Sequence, residues 1–173
     1  MTQLVVVCGL PGTGKTTLAQ ALAARWHWPC FSKDATCKEP LYELLGGSTL
    51  EESRRLGSVA IQMLLRMVEM QLRYGVSCIV EAPFQYSEDG VRFAQWAEEY
   101  GVAITCVVCT VDEEERLRRF RSRTRHPAHH DADRTPHAAH AVPYHSFPGE
   151  LIWLDTAQPL EDVIGAVERQ VSR

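Results

Sequence analysis

The segment at residues 9–17 reads Gly-Leu-Pro-Gly-Thr-Gly-Lys-Thr-Thr and directly follows the apolar run at residues 4–8. This spacing fits the Walker A pattern, GxxxxGK[ST], which lies between a buried strand and a helix. Its glycines let successive backbone N–H groups point into one concavity, which holds phosphate oxygens. An ordinary glycine-rich turn would need neither the lysine nor the hydroxyl residue after it. The pattern therefore predicts that the chain binds a nucleoside triphosphate.

The same motif predicts which residues contact the nucleotide. They are Gly9, Pro11, Gly12, Thr13, Gly14, Lys15, Thr16 and Thr17. Lys15 is also a predicted catalytic residue, because its charge can follow the γ-phosphate into the transition state. Thr16 is a predicted metal ligand, since a hydroxyl at this position binds Mg²⁺.

A carboxylate follows the second apolar run, in the sequence Ser32-Lys33-Asp34. At a strand end beside the phosphate loop, Asp34 can accept the proton of an alcohol that attacks the γ-phosphate. Asp34 could instead cap the segment at residues 35–45, because aspartate is favoured at helix N-caps. We favour the catalytic role because the phosphate loop is expected nearby.

A second carboxylate, Glu81, ends the third apolar run, residues 78–80. An acidic residue that ends the strand next to the phosphate-loop strand can hold the hydration shell of Mg²⁺. Aspartate is the usual residue there, and a substrate contact or a plain strand-end charge remains the alternative. Glu81 is therefore the second predicted metal ligand.

The segment at residues 115–125 carries six arginines at positions 116, 118, 119, 121, 123 and 125. On the helix predicted at residues 112–125, Arg116, Arg119 and Arg123 share one face, and the other three share the opposite face. Only one of these faces can point into a single cleft. Planar guanidinium groups suit phosphoryl oxygens and a charged transition state, so one face is expected to clamp the triphosphate.

Six histidines follow the arginine segment, in a stretch that also holds four prolines. They are His126, His129, His130, His137, His140 and His145. His129 and Asp131 would be plausible metal ligands, but no histidine pair has i, i+4 spacing within an expected helix. We therefore favour a lid over residues 116–148, with histidines that contact phosphate.

Composition limits the class of protein. The 173 residues suffice for one domain over residues 1–173, and the formal charge of −4 argues against broad attraction to nucleic acid. No apolar stretch reaches the ~18 residues of a membrane span. The CxxC spacing of Cys106 and Cys109 lies inside a strand-like run, which disfavours a redox or zinc role. These features indicate a protein of the reducing cytoplasm.

Apolar runs alternate with helical patterns along the chain. We expect strands near residues 3–8, 29–32, 76–81, 102–109 and 151–154 and helices near residues 15–26, 50–74, 88–100, 112–125 and 159–172. In the helix at residues 50–74, apolar residues fall on several sides, which predicts shelter over much of its circumference. The alternation predicts an α/β fold with a parallel sheet covered by helices on both faces. Ligands of such sheets bind at the carboxyl ends of the strands, where the residues discussed above fall.

Taken together, the glycine loop at residues 9–19, the Ser-Lys-Asp segment and the arginine-rich helix resemble P-loop kinases. The similarity is to the branch of polynucleotide kinases, zeta toxins and chloramphenicol phosphotransferase, and it extends to Leu154-Asp155-Thr156. The resemblance implies a P-loop NTPase fold with a five-stranded parallel sheet in the order 2-3-1-4-5 and an Arg/His-rich lid. It also implies that Asp34 is the general base and that Arg119 and Arg123 are catalytic lid arginines, with Arg119 also touching the nucleotide.

These observations predict a kinase that uses ATP and Mg²⁺ to phosphorylate a hydroxyl of a small molecule. One alternative is a kinase of nucleic-acid 5′-hydroxyl ends, and another is a nucleotide-gated regulatory protein with little turnover. The chain contains no asparagine, which excludes the NKxD motif of GTPases and an asparagine sensor of AAA+ motors. The acceptor cannot be identified from the sequence.

Overall fold

The computed structural model describes residues 1–124, 126–130 and 144–171. The strands are β1 (Gln3–Cys8), β2 (Cys30–Ser32), β3 (Cys78–Glu81), β4 (Ala103–Thr110) and β5 (Glu150–Asp155). The α-helices are α1 (Lys15–Trp26), α2 (Glu39–Leu45), α3 (Leu50–Arg73), α4 (Ser87–Tyr100), α5 (Glu113–Ser122) and α6 (Leu160–Val171). A π-helical turn, Lys33–Lys38, joins β2 to α2, and short 3-10 turns occupy Pro127–His129 and Tyr144–Ser146. Among the helices described, none is long and apolar enough to cross a membrane.

The five strands form one parallel sheet in the order β2-β3-β1-β4-β5. This confirms the predicted P-loop NTPase fold with its 2-3-1-4-5 strand order. Val7 near the end of β1 pairs with Glu81 on β3, and Ser32 at the end of β2 pairs with the same glutamate. The loops that follow β1, β2 and β3 therefore leave the sheet side by side.

Two apolar layers cover the sheet. One layer packs α3 and α4 against one face, and the other packs α1 and α6 against the opposite face. Cys106 belongs to the first layer and Cys109 to the second, because residues three apart on a strand point to opposite faces. Burial raises the pKa of both thiols to about 12. Both cysteines are protonated core residues.

Helix α3 is less sheltered than its sequence predicts. Residues such as Ala60, Leu64 and Val68 are fully buried, and a Thr49–Glu52 capping box starts the helix. The expectation of shelter around much of the circumference was wrong, since Val59, Met63 and Met70 are more than 40% exposed. The sheet, α4 and the turn at Lys33–Lys38 pack on other sides of α3, and the side of these three residues stays exposed.

Helix α5 is shorter than predicted. Asp112 caps its start by accepting hydrogen bonds from two backbone N–H groups, and the helix ends at Ser122. The Ser122 hydroxyl donates to the carbonyl of Arg119, a local bond that competes with helix continuation. Arg123 already has an extended backbone, so its predicted place on the helical face of Arg116 and Arg119 was wrong. Arg125 lies outside the described residues.

Phe93 on α4 tests the first apolar layer. It is fully buried and its ring contacts the rings of Phe84, Trp96 and Phe147. We expect Phe93→Ala to lower the free energy of unfolding by about 3–5 kcal/mol in urea denaturation. Val91→Ala, at an exposed site of the same helix, should change it by no more than about 0.5 kcal/mol. Equal effects of the two substitutions would contradict this packing.

Candidate active site

A cavity of about 720 Å³ lies at the carboxyl ends of β1, β2 and β3. It brings together most of the residues that the sequence singles out, although they are far apart in the chain. The predicted residues that line it are Pro11, Gly12, Gly14, Lys15, Thr16, Thr17, Asp34, Glu81, Arg119 and Arg123. Its volume falls in the range typical of small-ligand pockets.

The glycines of the loop between β1 and α1 have the conformation that the motif requires. Gly12 has a φ of 93° and Gly14 a φ of 81°, values that residues with a Cβ rarely adopt. Gly14 is the N-cap residue of α1, and no side chain caps this end. The helix N-terminus at the cavity is therefore a site that favours a phosphate anion.

Gly9 and Thr13 belong to the loop but do not line the cavity. Gly9 has a φ of 132°, and a Cβ at this position would collide with the carbonyl oxygen of Cys109. The hydroxyl of Thr13 is buried and donates to the carbonyl of Leu10 at 2.8 Å. In the structure both residues shape the loop from within.

The Lys15 side chain folds over the loop. It is only 8% exposed, and its Nζ donates to the carbonyl of Leu10 at 3.0 Å. Burial lowers the pKa of Lys15, and the carboxylates of Glu81 and Asp34 oppose this change by favouring the ammonium. The lysine is thus held next to the strand ends where both carboxylates lie.

Glu81 is buried and is held by Ser32 on the neighbouring strand. The Ser32 hydroxyl donates to Glu81 Oε2 at 2.7 Å and accepts a hydrogen bond from the backbone N–H of Ala35. Ser32 is the N-cap of the π-helical turn, and Asp34 is the second residue of that turn. The structure therefore gives the capping function to Ser32. Asp34 lines the cavity from the first turn.

His129 lies between two carboxylates beside the cavity. It is 1% exposed, and its Nε2 and Glu39 Oε1 are 2.9 Å apart, so the ring N–H donates to the carboxylate. Its Nδ1 lies 3.9 Å from Asp34 Oδ2. This contact joins the histidine segment to the turn that carries Asp34, and the sequence did not indicate the pairing with Glu39.

Arg116 supports the glycine loop from behind. Its guanidinium is 2% exposed, makes two hydrogen bonds to Glu113 at 2.7 and 2.8 Å, and donates to the carbonyl of Pro11 at 3.0 Å. The carbonyl of Arg116 would lie 2.6 Å from a Cβ on Gly12. Only glycine fits at position 12, because α5 packs directly against the loop.

Arg119 lies one turn further along α5, at the rim of the cavity. It donates to Glu115 at 2.7 Å and to the Thr156 hydroxyl at 3.1 Å. Thr156 follows β5, and its hydroxyl oxygen is 2.9 Å from the carbonyl of Thr13 in the loop. Thr156 is a supporting residue whose role sequence reasoning missed. The sequence signals were its position directly after the last strand and its place in the Leu154-Asp155-Thr156 segment of the resemblance.

These contacts show which face of helix α5 is directed towards the phosphate loop. It is the face of Arg116 and Arg119, whereas Arg118 is exposed and pairs with Glu115 at 2.6 Å. Arg123 reaches the cavity from beyond the helix end, with its guanidinium 4.3 Å from the centre of the Phe120 ring.

Residues 126–130 of the expected lid pack on α2 and on the loop that follows it. His126 lies 3.6 Å from Glu43, and the ring of His130 is 3.4 Å from the carbonyl of Gly47. Asp131, His137 and His140, and with them residues 131–143 of the expected lid, lie outside the described residues. Within the ranges that the structure covers, no group of three or more His, Cys, Asp or Glu side chains could hold a metal.

A glycine loop between β1 and α1 of a 2-3-1-4-5 parallel sheet defines a P-loop nucleotide-binding protein. The chain belongs to the AAA domain family, which it matches over residues 4–142. None of the curated proteins matches the chain.

Several solved structures are similar over nearly the whole chain. A candidate kinase from Chloroflexus aurantiacus J-10-fl has a TM-score of 0.80 and 29% identity, with 98% of both chains covered. A sugar kinase from Janibacter sp. HTCC2649 has a TM-score of 0.63 and 20% identity, with 99% of this chain and 95% of that chain covered. APS kinase from Mycobacterium tuberculosis has a TM-score of 0.66 and 14% identity, with 99% and 98% covered. The sugar kinase and APS kinase have the same fold as this chain.

Lys15 provides a test of the site that does not require turnover. Because burial lowers its pKa, the ammonium is destabilised in the folded chain, and Lys15→Met should unfold no more easily than the parent without ligand. With ATP, the parent should gain about 2.7 kcal/mol at a ligand concentration 100 times Kd, and the variant should gain far less. Thermal unfolding with and without ATP measures both quantities.

The matched control for this experiment is Arg118→Met, which removes an exposed cation outside the cavity. It should retain the full stabilisation by ATP. If Lys15→Met retained it as well, the cavity would not be the nucleotide site.

Proposed function

We propose that the protein is a phosphotransferase that uses ATP and Mg²⁺ to move the γ-phosphate to a hydroxyl of a small molecule. One observation carries this proposal: Lys15 and Asp34, from the loops after β1 and β2, line the same cavity. A lysine that binds phosphate and a carboxylate that can take a proton are the two groups that transfer to an alcohol needs.

The similar structures support the same proposal. The candidate kinase from Chloroflexus aurantiacus matches almost end to end at 29% identity. The sugar kinase and APS kinase add that this fold serves phosphate transfer to small molecules in other proteins. Within this group, we propose that the chain is related to the branch of polynucleotide kinases, zeta toxins and chloramphenicol phosphotransferase, on the basis of the residue pattern around Asp34 and Arg119.

In the proposed reaction, the acceptor hydroxyl lies next to Asp34 and attacks the γ-phosphorus in line. The hydroxyl proton passes to the Asp34 carboxylate, the new O–P bond forms, and the bond from the γ-phosphorus to the β,γ-bridging oxygen breaks. Lys15 neutralises charge on the phosphates, and Arg119 and Arg123 do so from the α5 side. The products are a phosphate ester and ADP.

The cavity has the oxygen donors that Mg²⁺ prefers. Thr16 offers a hydroxyl and Glu81 a carboxylate, and both line the cavity. Mg²⁺ in phosphotransfer sites is held by one or two protein oxygens together with phosphates and water. When bound there, the ion neutralises charge on the phosphates, and Ser32 fixes the orientation of the Glu81 carboxylate.

The alternative acceptor is a 5′-hydroxyl end of nucleic acid, which would use the same chemistry at Asp34. The formal charge of −4 disfavours it. We further propose that residues 116–148 act as a lid over the phosphates. The contacts of Arg119 and His129 at the rim of the cavity support this idea.

Asp34→Asn tests the proposed base. The substitution keeps the shape of the side chain, and Ser32 still caps the turn, so the fold and ATP binding should be retained, with only a small loss of stability from removal of the carboxylate near Lys15. Loss of the proton acceptor should reduce phosphotransfer by roughly 10²- to 10⁴-fold. The rate of transfer from γ-labelled ATP to a panel of alcohols, including a 5′-hydroxyl oligonucleotide, measures the effect.

Asp162→Asn, at an exposed position of α6, is the matched control and should transfer phosphate at the parent rate. Full activity of Asp34→Asn would refute the general-base role. A parent protein that binds ATP but transfers phosphate to no alcohol would favour a nucleotide-gated regulatory protein instead.

A further inference from the structure

A second cavity of about 640 Å³ adjoins the first. The two cavities share Lys33, Lys38 and Pro83 in their walls, so they meet at the turn that carries Asp34. Lys38 is buried at this boundary, where its Nζ donates to the Ser53 hydroxyl at 2.9 Å. The second cavity lies on the side of Asp34 away from α5, since no residue of α5 lines it. An acceptor could approach the phosphate from this cavity.

The walls of this cavity suit a small polar molecule. Ile61 and Phe84 give it an apolar side, and Gln62 and Gln85 give it amide groups that can donate and accept hydrogen bonds. Its volume lies within the usual range of small-molecule pockets.

Cations outnumber anions around the cavity. Arg54 on α3 and Arg92 on α4 line it, and neither forms an ion pair within 4.0 Å to any residue that the structure describes. Lys33 adds a third cation, and its Nζ would lie 3.6 Å from a Cβ on Gly57. That distance is an ordinary contact, so Lys33 lies beside α3 at the wall of the cavity.

The two acidic residues in the wall, Asp89 and Glu88, both belong to helix α4. Asp89 accepts a hydrogen bond from the backbone N–H of Tyr86 at 3.2 Å, and Glu88 accepts one from the Ser87 hydroxyl at 3.2 Å. Both carboxylates belong to the first turn, where the helix dipole favours negative charge. Burial raises the pKa of Asp89 and Arg92 opposes this change, so Arg92 already offsets part of the Asp89 charge. Among the described lining residues four cations still face two carboxylates, which leaves positive charge for an anion.

We propose that the second cavity is the acceptor pocket and that it selects a small alcohol that carries an oxyanion group. A carboxylate, phosphate or sulfate group would bind between Arg54 and Arg92, and the hydroxyl would point towards Asp34 at the boundary of the two cavities. The planar guanidinium groups are suited to the paired oxygens of such anions. The transfer step rests on the proposed function, whereas binding of the anion does not.

The test compares neutral alcohols with anionic ones that have the same number of carbon atoms. Glycerol is compared with D-glycerate and glycerol 3-phosphate, and sorbitol with D-gluconate, at constant ionic strength. Binding is measured by calorimetry with a non-hydrolysable ATP analogue and Mg²⁺ present, and phosphotransfer is measured separately with ATP. We expect at least one anionic member to bind about 10-fold or more tightly than its neutral partner.

Substitutions locate this preference in the cavity. Arg54→Gln combined with Arg92→Gln should bring the affinity ratio of anionic to neutral acceptor close to unity. Arg55→Gln is the matched control, because it removes an exposed arginine that is next in the chain to Arg54 but outside the cavity. It should leave the ratio as in the parent.

The outcomes separate this inference from the proposed function. Anion binding that depends on Arg54 and Arg92 without any phosphotransfer would support the pocket and refute the kinase. Three results would overturn the proposed pocket: equal use of neutral and anionic alcohols, binding of none of the anions, or a preference that the two substitutions do not change. Wherever phosphotransfer is still seen, the proposed kinase activity would stand. Tighter binding of a 5′-hydroxyl oligonucleotide than of every small anion would overturn the small-molecule class.

Discussion

The conformation of the loop between β1 and α1 is the constraint on which the rest of the site depends. Its glycines adopt positive φ values, and because glycine has more backbone freedom than any other residue, neighbouring contacts are needed to fix one conformation. Three elements provide them: Arg116 of α5 binds the carbonyl of Pro11, Thr156 after β5 binds the carbonyl of Thr13, and the carbonyl of Cys109 at the end of β4 packs against Gly9. The C-terminal half of the chain thus shapes a loop near the N-terminus.

The second constraint is the burial of charge at the strand ends. Burial disfavours the ammonium of Lys15, and the nearby carboxylates offset part of that cost. Glu81 is in turn fixed by Ser32, and His129 binds Glu39 on the side away from Asp34. Each charged group is therefore oriented by a neighbour before any ligand binds, which reduces the reorganisation that binding and reaction require.

The sequence predicted the parts of the molecule that local chemistry determines. The strand–loop–helix unit around Lys15 needs only its own glycines, and the alternation of apolar runs gave the five strands, while their order came from the resemblance. The errors concern contacts that residue spacing does not encode. Helix α5 ends before Arg123, where the Ser122 hydroxyl donates to the carbonyl of Arg119, and the side of α3 at Met63 stays exposed because the sheet packs on the other side.

The same limit applies to the residues that sequence reasoning missed. The resemblance included Thr156 without a role, and Glu39 belongs to no motif. Their roles come from a hydrogen bond to the loop and to His129 respectively. Lys33 and Arg54 are ordinary surface-type residues in the sequence. Only the fold places them around a cavity that opens beside Asp34.

The most direct test of this account is a crystal structure with a non-hydrolysable ATP analogue and Mg²⁺. We expect the triphosphate to lie in the loop with its γ-phosphate at Lys15. Thr16 and Glu81 should lie next to the Mg²⁺ ion, and Asp34 should face the side of the γ-phosphate that is open to an acceptor. A nucleotide bound outside this cavity, or an Asp34 carboxylate turned away from the γ-phosphate, would contradict this account.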